Sequence, residues 1–166
     1  MIIFLVGFMG AGKTSIAQLV AREYGYTYID TDEDIEKKYG QTVSELFKTK
    51  GEDAFREIEA ETLRALNLTP NTIIATGGGL PCYHSNMQWM NKIGITIYIK
   101  QEATELEKRL ASTWQHRPLL NKIEKNDLLG YINDLLEVRK PYYEQAKFAI
   151  LGTLVSAQTV INTAIL

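Results

Sequence analysis

A single cysteine, Cys82, among 166 residues excludes an internal disulfide, and no cluster of cysteine and histidine suggests zinc. Histidine is scarce too, with two isolated copies, His84 and His116, which read as surface residues. An excess of charge of either sign is missing. Eighteen Lys and Arg face twenty Asp and Glu, for a net charge of −2. That balance gives no bulk pull toward nucleic acid or an anionic membrane. No apolar run approaches the ~20 residues that span a bilayer. The apolar opening Met1-Ile2-Ile3-Phe4-Leu5-Val6 has no basic leader, and Gly7 ends it early, so it does not read as a signal peptide. The expected location is the cytoplasm, which the cysteine usage fits.

What is present suits one globular domain over 1–166. Hydrophobic residues make up 45% and charged residues 23%, enough to bury a core without crosslinks. Nothing in the sequence demands a partner, so a monomer is expected. Short apolar runs at 2–6, 26–29, 71–75, 93–99 and 148–151 read as strands. Helical patterns fall at 15–24, 32–39, 44–50, 52–66, 102–111, 128–138 and 156–165. Strands separated by helices predict an α/β domain, three layers α/β/α, around a five-stranded parallel sheet. In such sheets ligands gather at the carboxyl ends of strands. The polar stretch 112–127 links two helices and has the length of an active-site lid or of a plain surface loop.

Gly7-Phe8-Met9-Gly10-Ala11-Gly12-Lys13-Thr14 follows the first strand and opens the first helix. It matches G-x-x-x-x-G-K-[ST], the phosphate-binding loop of P-loop NTPases. Glycines let backbone N–H groups turn around a phosphate, and the helix start adds positive potential. Lys13 is placed to reach the β- and γ-phosphates of ATP, and Thr14 offers Mg²⁺ a hard oxygen.

Asp30-Thr31-Asp32 follows the second strand. One carboxylate can face the Mg²⁺ site and the other an acceptor hydroxyl, which it would orient and deprotonate. Asp32 also suits the N-cap of the helix behind it. Beside Mg²⁺, Lys13 and arginines, its pKa is expected to be depressed. Thr76-Gly77-Gly78-Gly79 ends the third strand and permits close backbone approach to a ligand, or a tight turn.

Four arginines stand out. Arg139 continues the apolar stripe Leu128, Ile132, Leu135, so it faces a cleft or snorkels from the helix end. Pro141 is expected to break the helix and free it. Arg56 lies within helical reach of Glu52 and Glu59, which reads as a solvated ion pair or a site arginine. Arg117 sits in the candidate lid, suited to close on a transferring phosphoryl group or simply to carry a loop charge. Arg109 precedes the lid and either flanks a base or stays on the surface. Cys82 reads as unreactive, and Trp89 and Trp114 as packing residues.

Together these motifs resemble those of the shikimate kinases, from Ile3 to about Ala146. The resemblance runs through the P-loop, Asp30-Thr31-Asp32, Ser44-Glu45-Leu46-Phe47 and Gly51-Glu52-Asp53-Ala54-Phe55-Arg56. It continues in Gly77-Gly78-Gly79, Arg117-Pro118-Leu119-Leu120 and Arg139-Lys140-Pro141-Tyr142-Tyr143. It implies a nucleoside monophosphate kinase-like fold and transfer of the γ-phosphoryl group of ATP to the 3-hydroxyl of shikimate, in the chorismate route to aromatic amino acids. It implies ATP contacts from Gly10, Ala11, Gly12, Lys13, Thr14, Ser15, Arg109 and Arg117. Thr14 would bind Mg²⁺, with Asp30 supporting it through water. Asp32, Arg56, Gly78, Gly79 and Arg139 would bind shikimate, the arginines at its carboxylate. Lys13, Asp32 and Arg117 would be catalytic. Substrate binding would fall on the helical segment 32–66, and 112–127 would be a mobile lid. Leu151-Gly152-Thr153-Leu154-Val155 departs from the basic, proline-containing adenine loop of the family, so no adenine contacts are assigned there. A gluconate kinase, or a nucleotide-binding scaffold without turnover, is the competing reading.

Overall fold

Five short apolar strands assemble into one parallel sheet in the order β2-β3-β1-β4-β5. They are β1 (Ile2–Val6), β2 (Thr27–Asp30), β3 (Thr72–Ala75), β4 (Ile95–Lys100) and β5 (Phe148–Leu151). The computed structural model describes residues 1–113, 117, 119–120 and 122–166. β1 is central, with Phe4 opposite Ile74 on one side and Thr96 on the other. Ile3, Phe4, Leu5 and Val6 are fully buried, as an unalternating run in a sheet covered on both faces must be. The edge strands β2 and β5 are partly exposed.

The helices are α1 (Lys13–Tyr24), α2 (Thr31–Tyr39), α3 (Val43–Lys50), α4 (Glu52–Ala65), α5 (Asn86–Ile93), α6 (Ala103–Leu110), α7 (Leu128–Tyr143) and α8 (Ala157–Ala164). Local chemistry sets several of their ends. Thr42 and Glu45 cap α3 reciprocally, and Ser156 with Thr159 does the same for α8. Helices α2, α3 and α4 share a small core of their own: Ile35, Leu46, Phe55 and Ile58, with Tyr39, Val43 and Phe47 against it. That core lets the segment stand beside the sheet and present α4 to its carboxyl end.

Three expectations are corrected. Helix α5 fell outside the sequence-based assignment; Met87 and Met90 bury its inner face, and Gly94 ends it, so β4 starts at Ile95 rather than at residue 93. Pro141 does not break α7 but lies inside it. A proline there removes one bond, to the carbonyl of Glu137, and Glu137 is exposed, so water can satisfy the freed group. Finally, Asp30, not Asp32, is the N-cap of α2. Among the described residues no helix is long and apolar enough to cross a membrane. The expected lid, 112–127, lies partly outside the described residues, as do Trp114 and His116.

Gly94 packs its backbone directly on the central strand. A Cβ there would stand 2.8 Å from both Ile2 O and the Phe4 ring. Its φ of −154° strains no residue, so the cost is overpacking alone. Gly94→Ala should therefore destabilise the fold by about 2 kcal/mol. Thermal unfolding should show a midpoint lower by roughly 4–8 °C. An unchanged midpoint would contradict this packing.

Candidate active site

The loop between β1 and α1 takes the conformation its glycines allow. Gly7, Gly10 and Gly12 all have positive φ, at 145°, 79° and 95°. Gly12 occupies the N-cap of α1 and offers no side chain, which leaves the first helical N–H groups open. Lys13 is buried, and its Nζ donates to Gly7 O at 2.7 Å and Phe8 O at 2.8 Å. Burial lowers its pKa to about 8, against the opposing pull of Asp32. A cavity of about 340 Å³ opens over this loop. Gly10, Gly12, Lys13, Thr14, Ser15, Asp30, Asp32, Arg109 and Arg117 line it. Ala11 does not: it is buried, and its N–H donates to Phe8 O. Arg109 is exposed at the mouth, paired with Glu105 at 2.9 Å.

The carboxylates after β2 divide their work. One oxygen of Asp30 accepts the N–H groups of Asp32 and Glu33, capping α2. The other accepts the Thr14 hydroxyl at 2.8 Å and the Tyr28 hydroxyl at 3.5 Å. Asp30 thus ties α2 to the phosphate loop. Asp32 stands in the first turn of α2, turned to Gly77. Its expected acid shift is reversed. Burial, then Glu59 and Asp30, push its pKa up to about 7, and Lys13 and Arg117 only partly offset this. The sequence placed the cations correctly but could not show the second carboxylate, Glu59, coming from α4.

A second cavity, about 80 Å³, shares Met9, Asp32, Gly78 and Arg117 with the first. Arg56, Glu59, Gly77, Gly79 and Arg139 complete its polar lining, and Val43, Phe47, Phe55 and Leu119 its apolar side. Arg56 is not a solvated pair. It is 4% exposed, bonded to Glu59 at 2.7 Å and to Glu52 at 3.1 Å. Its guanidinium lies 4.6 Å from the Tyr83 ring centroid, with Phe47 and Phe55 also around it. Arg139 is 3% exposed, held 5.7 Å from the Phe8 ring centroid. Its Nη1 is buried and has no hydrogen-bond partner among the described residues. The Nε of Arg117 is in the same condition.

The triple glycine forms the floor. A Cβ on Gly77 would stand 2.8 Å from Asp32 Oδ1, one on Gly78 3.0 Å from Met9 N, and one on Gly79 would overlap Arg56. Close approach requires all three glycines. Gly77 N–H donates to Thr31 Oγ1 at 2.9 Å, and Gly78 O accepts the Tyr143 hydroxyl at 2.6 Å.

A protein-family model described as shikimate kinase matches residues 9–166. The chain belongs to the shikimate kinase family. A shikimate kinase of Bacteroides fragilis is 38% identical over 163 residues, covering 98% of this chain and 91% of that relative. One from Parabacteroides distasonis is 42% identical over 144 residues, 87% and 83% of the two chains. Among solved structures, shikimate kinase from Bacteroides thetaiotaomicron superposes with a TM-score of 0.87 at 37% identity, over 99% of this chain and 94% of that one. Shikimate kinase from Acinetobacter baumannii, in complex with shikimate, also gives 0.87, at 32% identity over 99% and 90%. The chain is thus an ATP-dependent kinase by family.

Other residues fall into place around the site. Burial pushes the Cys82 thiol up to about 11, as expected of an unreactive cysteine. Trp89 packs edge-on against Phe4, and His84 is exposed. Gly152–Leu154 forms a 3-10 turn with Gly152 against the Gln101 carboxamide. Sequence reasoning missed Thr31, Tyr83 and Tyr143, and treated Glu59 only as a possible ion partner. Glu59 was legible as the partner of Arg56, three residues away on one helix, but not as a neighbour of Asp32.

The Asp32 shift has a measurable sign. A carboxyl whose folded pKa lies above its unfolded value keeps its stability contribution at low pH and loses it as pH rises through 7. With EDTA present, Asp32→Asn should raise the unfolding midpoint at about pH 8. The gain should fade on acidification and vanish near about pH 4. A gain independent of pH would disprove the shift.

Proposed function

We propose that this chain transfers the γ-phosphoryl group of ATP to the 3-hydroxyl of shikimate, giving shikimate 3-phosphate and ADP. Two buried guanidinium groups facing one small cavity carry this reading. A planar carboxylate is the anion that forked donors hold best, and Arg139 keeps a buried N–H free for it. Asp32 and the glycine floor supply the complementary groups for hydroxyls on the same ligand.

Phosphoryl transfer depends on positioning and charge stabilisation. The backbone of Gly10–Ser15 and the start of α1 would hold the phosphates, with Lys13 leaving its loop carbonyls for the β- and γ-oxygens. Arg109, at the cavity mouth, would lie against adenine. A hydroxyl and a carboxylate, Thr14 Oγ1 bonded to Asp30 Oδ2, form a hard-oxygen pair of the kind Mg²⁺ accepts alongside phosphate and water. Thr14 would hold the ion directly and Asp30 through water, and the ion would neutralise charge on the phosphates. Arg56 and Arg139 would hold the shikimate carboxylate, and Gly78 and Gly79 would approach it through their backbone. Asp32 would orient the 3-hydroxyl and take its proton as the new O–P bond forms and the bond to the β-phosphate oxygen breaks. Burial and the nearby Glu59 raise the proton affinity of this carboxyl in the ligand-free protein, which favours its taking the proton. Arg117, lining both cavities, would stabilise the group in flight.

ADP release should be tested across shikimate, gluconate and nucleoside monophosphates. Turnover with shikimate alone is expected, and turnover with gluconate instead would overturn the assignment. Asp32→Asn should lower kcat by about 10²–10⁴-fold. Arg139→Ala should raise KM for shikimate by about 100-fold and leave ATP binding within about two-fold. Equal losses for both ligands would remove Arg139 from the acceptor site.

A further inference from the structure

Helix α7 delivers two side chains to Gly78, one turn apart. Arg139 reaches it inside the acceptor cavity, its Nη1 3.5 Å from where a Cβ on Gly78 would stand. Tyr143 reaches it from outside that cavity. Tyr143 is fully buried and donates its hydroxyl to Gly78 O at 2.6 Å. Its ring rests on Tyr98, with centroids 5.2 Å apart and planes inclined by 35°. The two tyrosines line a separate cavity of about 160 Å³ that shares no residue with the acceptor cavity.

The bond matters because of what lies on the other side of the same peptide. Every described peptide is trans, so the Gly79 N–H points opposite to the Gly78 carbonyl. With the carbonyl drawn toward Tyr143, which lines no part of the acceptor cavity, that N–H turns away from the Tyr143 hydroxyl, and Gly79 itself lines the acceptor cavity. No acceptor among the described residues receives it. Two glycines flank this peptide, so nothing steric in its own side chains prevents a flip. Gly79 sits at φ −86° and ψ −21°, which glycine leaves easily.

We propose that Tyr143 is a positioning residue: its hydroxyl clamps the Gly78–Gly79 peptide so that the Gly79 N–H stays presented to the phosphoryl acceptor. This rests on the acceptor site proposed above. Burial holds the phenol neutral well above the usual tyrosine range, so the donor persists across working pH. Tyr98 fixes the ring, and Arg139 on the same helix face keeps the carboxylate anchor in register with the clamp.

Tyr143→Phe removes the one hydroxyl and keeps the ring. It should lower kcat/KM for shikimate about ten-fold, leave the Kd for ATP within about two-fold, and keep a folded enzyme. In NMR spectra of the free protein, the Gly79 amide nitrogen, bonded to the Gly78 carbonyl carbon, should shift from its wild-type position when that carbonyl loses its donor, while the Gly77 amide, held by Thr31, should not. An unchanged kcat/KM with an unchanged Gly79 amide overturns the proposal, and so do parallel losses for ATP and shikimate. If the wild type fails to phosphorylate shikimate, the function proposed above fails, and the Gly79 nitrogen shift alone then decides the clamp. Should Tyr143→Phe not fold, the wild type supplies the test: the Tyr143 hydroxyl proton should exchange slowly and show a nuclear Overhauser effect to the Gly78 α-protons, and rapid exchange overturns the clamp.

Discussion

A guanidinium placed out of water needs a counter-charge, and the Arg56–Glu59 bond at 2.7 Å meets that need. Much of the acceptor side is arranged around it. The three-helix segment carries its own apolar core so that α4 can bring both residues to the end of the sheet. Phe47, Phe55 and Tyr83 enclose the guanidinium with ring faces rather than water. Gly79 is glycine because Arg56 lies against it. Glu59, left close to Asp32, raises the proton affinity of that carboxyl. One ion pair thus holds a buried cation and shapes the floor beside it, and Glu59 adds to the basicity that burial gives the carboxyl above them.

Much of this was legible before any coordinates. Apolar runs without alternation marked buried parallel strands, and the glycine spacing of residues 7–14 marked the phosphate loop. Arg139 was legible as an interior residue because it lies in step with Leu128, Ile132 and Leu135. What stayed hidden came from packing between distant segments. Asp32 was misjudged because its burial, and then the approach of Glu59 from another helix, raise its pKa. Arg56 stayed between an ion pair and a site arginine because the aromatic walls that dry it are brought from α3 and from Tyr83. Helix α5 escaped notice because its two buried methionines give a short, weak pattern.

Pro141 shows how a local rule gives way. Its missing N–H costs α7 one hydrogen bond, on an exposed side where water substitutes. Packing of Arg139 and Tyr143 at the end of the helix outweighs that loss. The extra turn carries Tyr143 to the glycine floor, which a helix stopped at residue 138 could not do.

The two cavities have a common wall in Met9, Asp32, Gly78 and Arg117. A wall with two occupants obeys thermodynamic reciprocity. Any change that nucleotide makes in acceptor affinity must be returned, factor for factor, by the acceptor in nucleotide affinity. On the function proposed above, protonation of Asp32, nucleotide and acceptor meet at one small surface, and whatever coupling links two of them is shared equally by both.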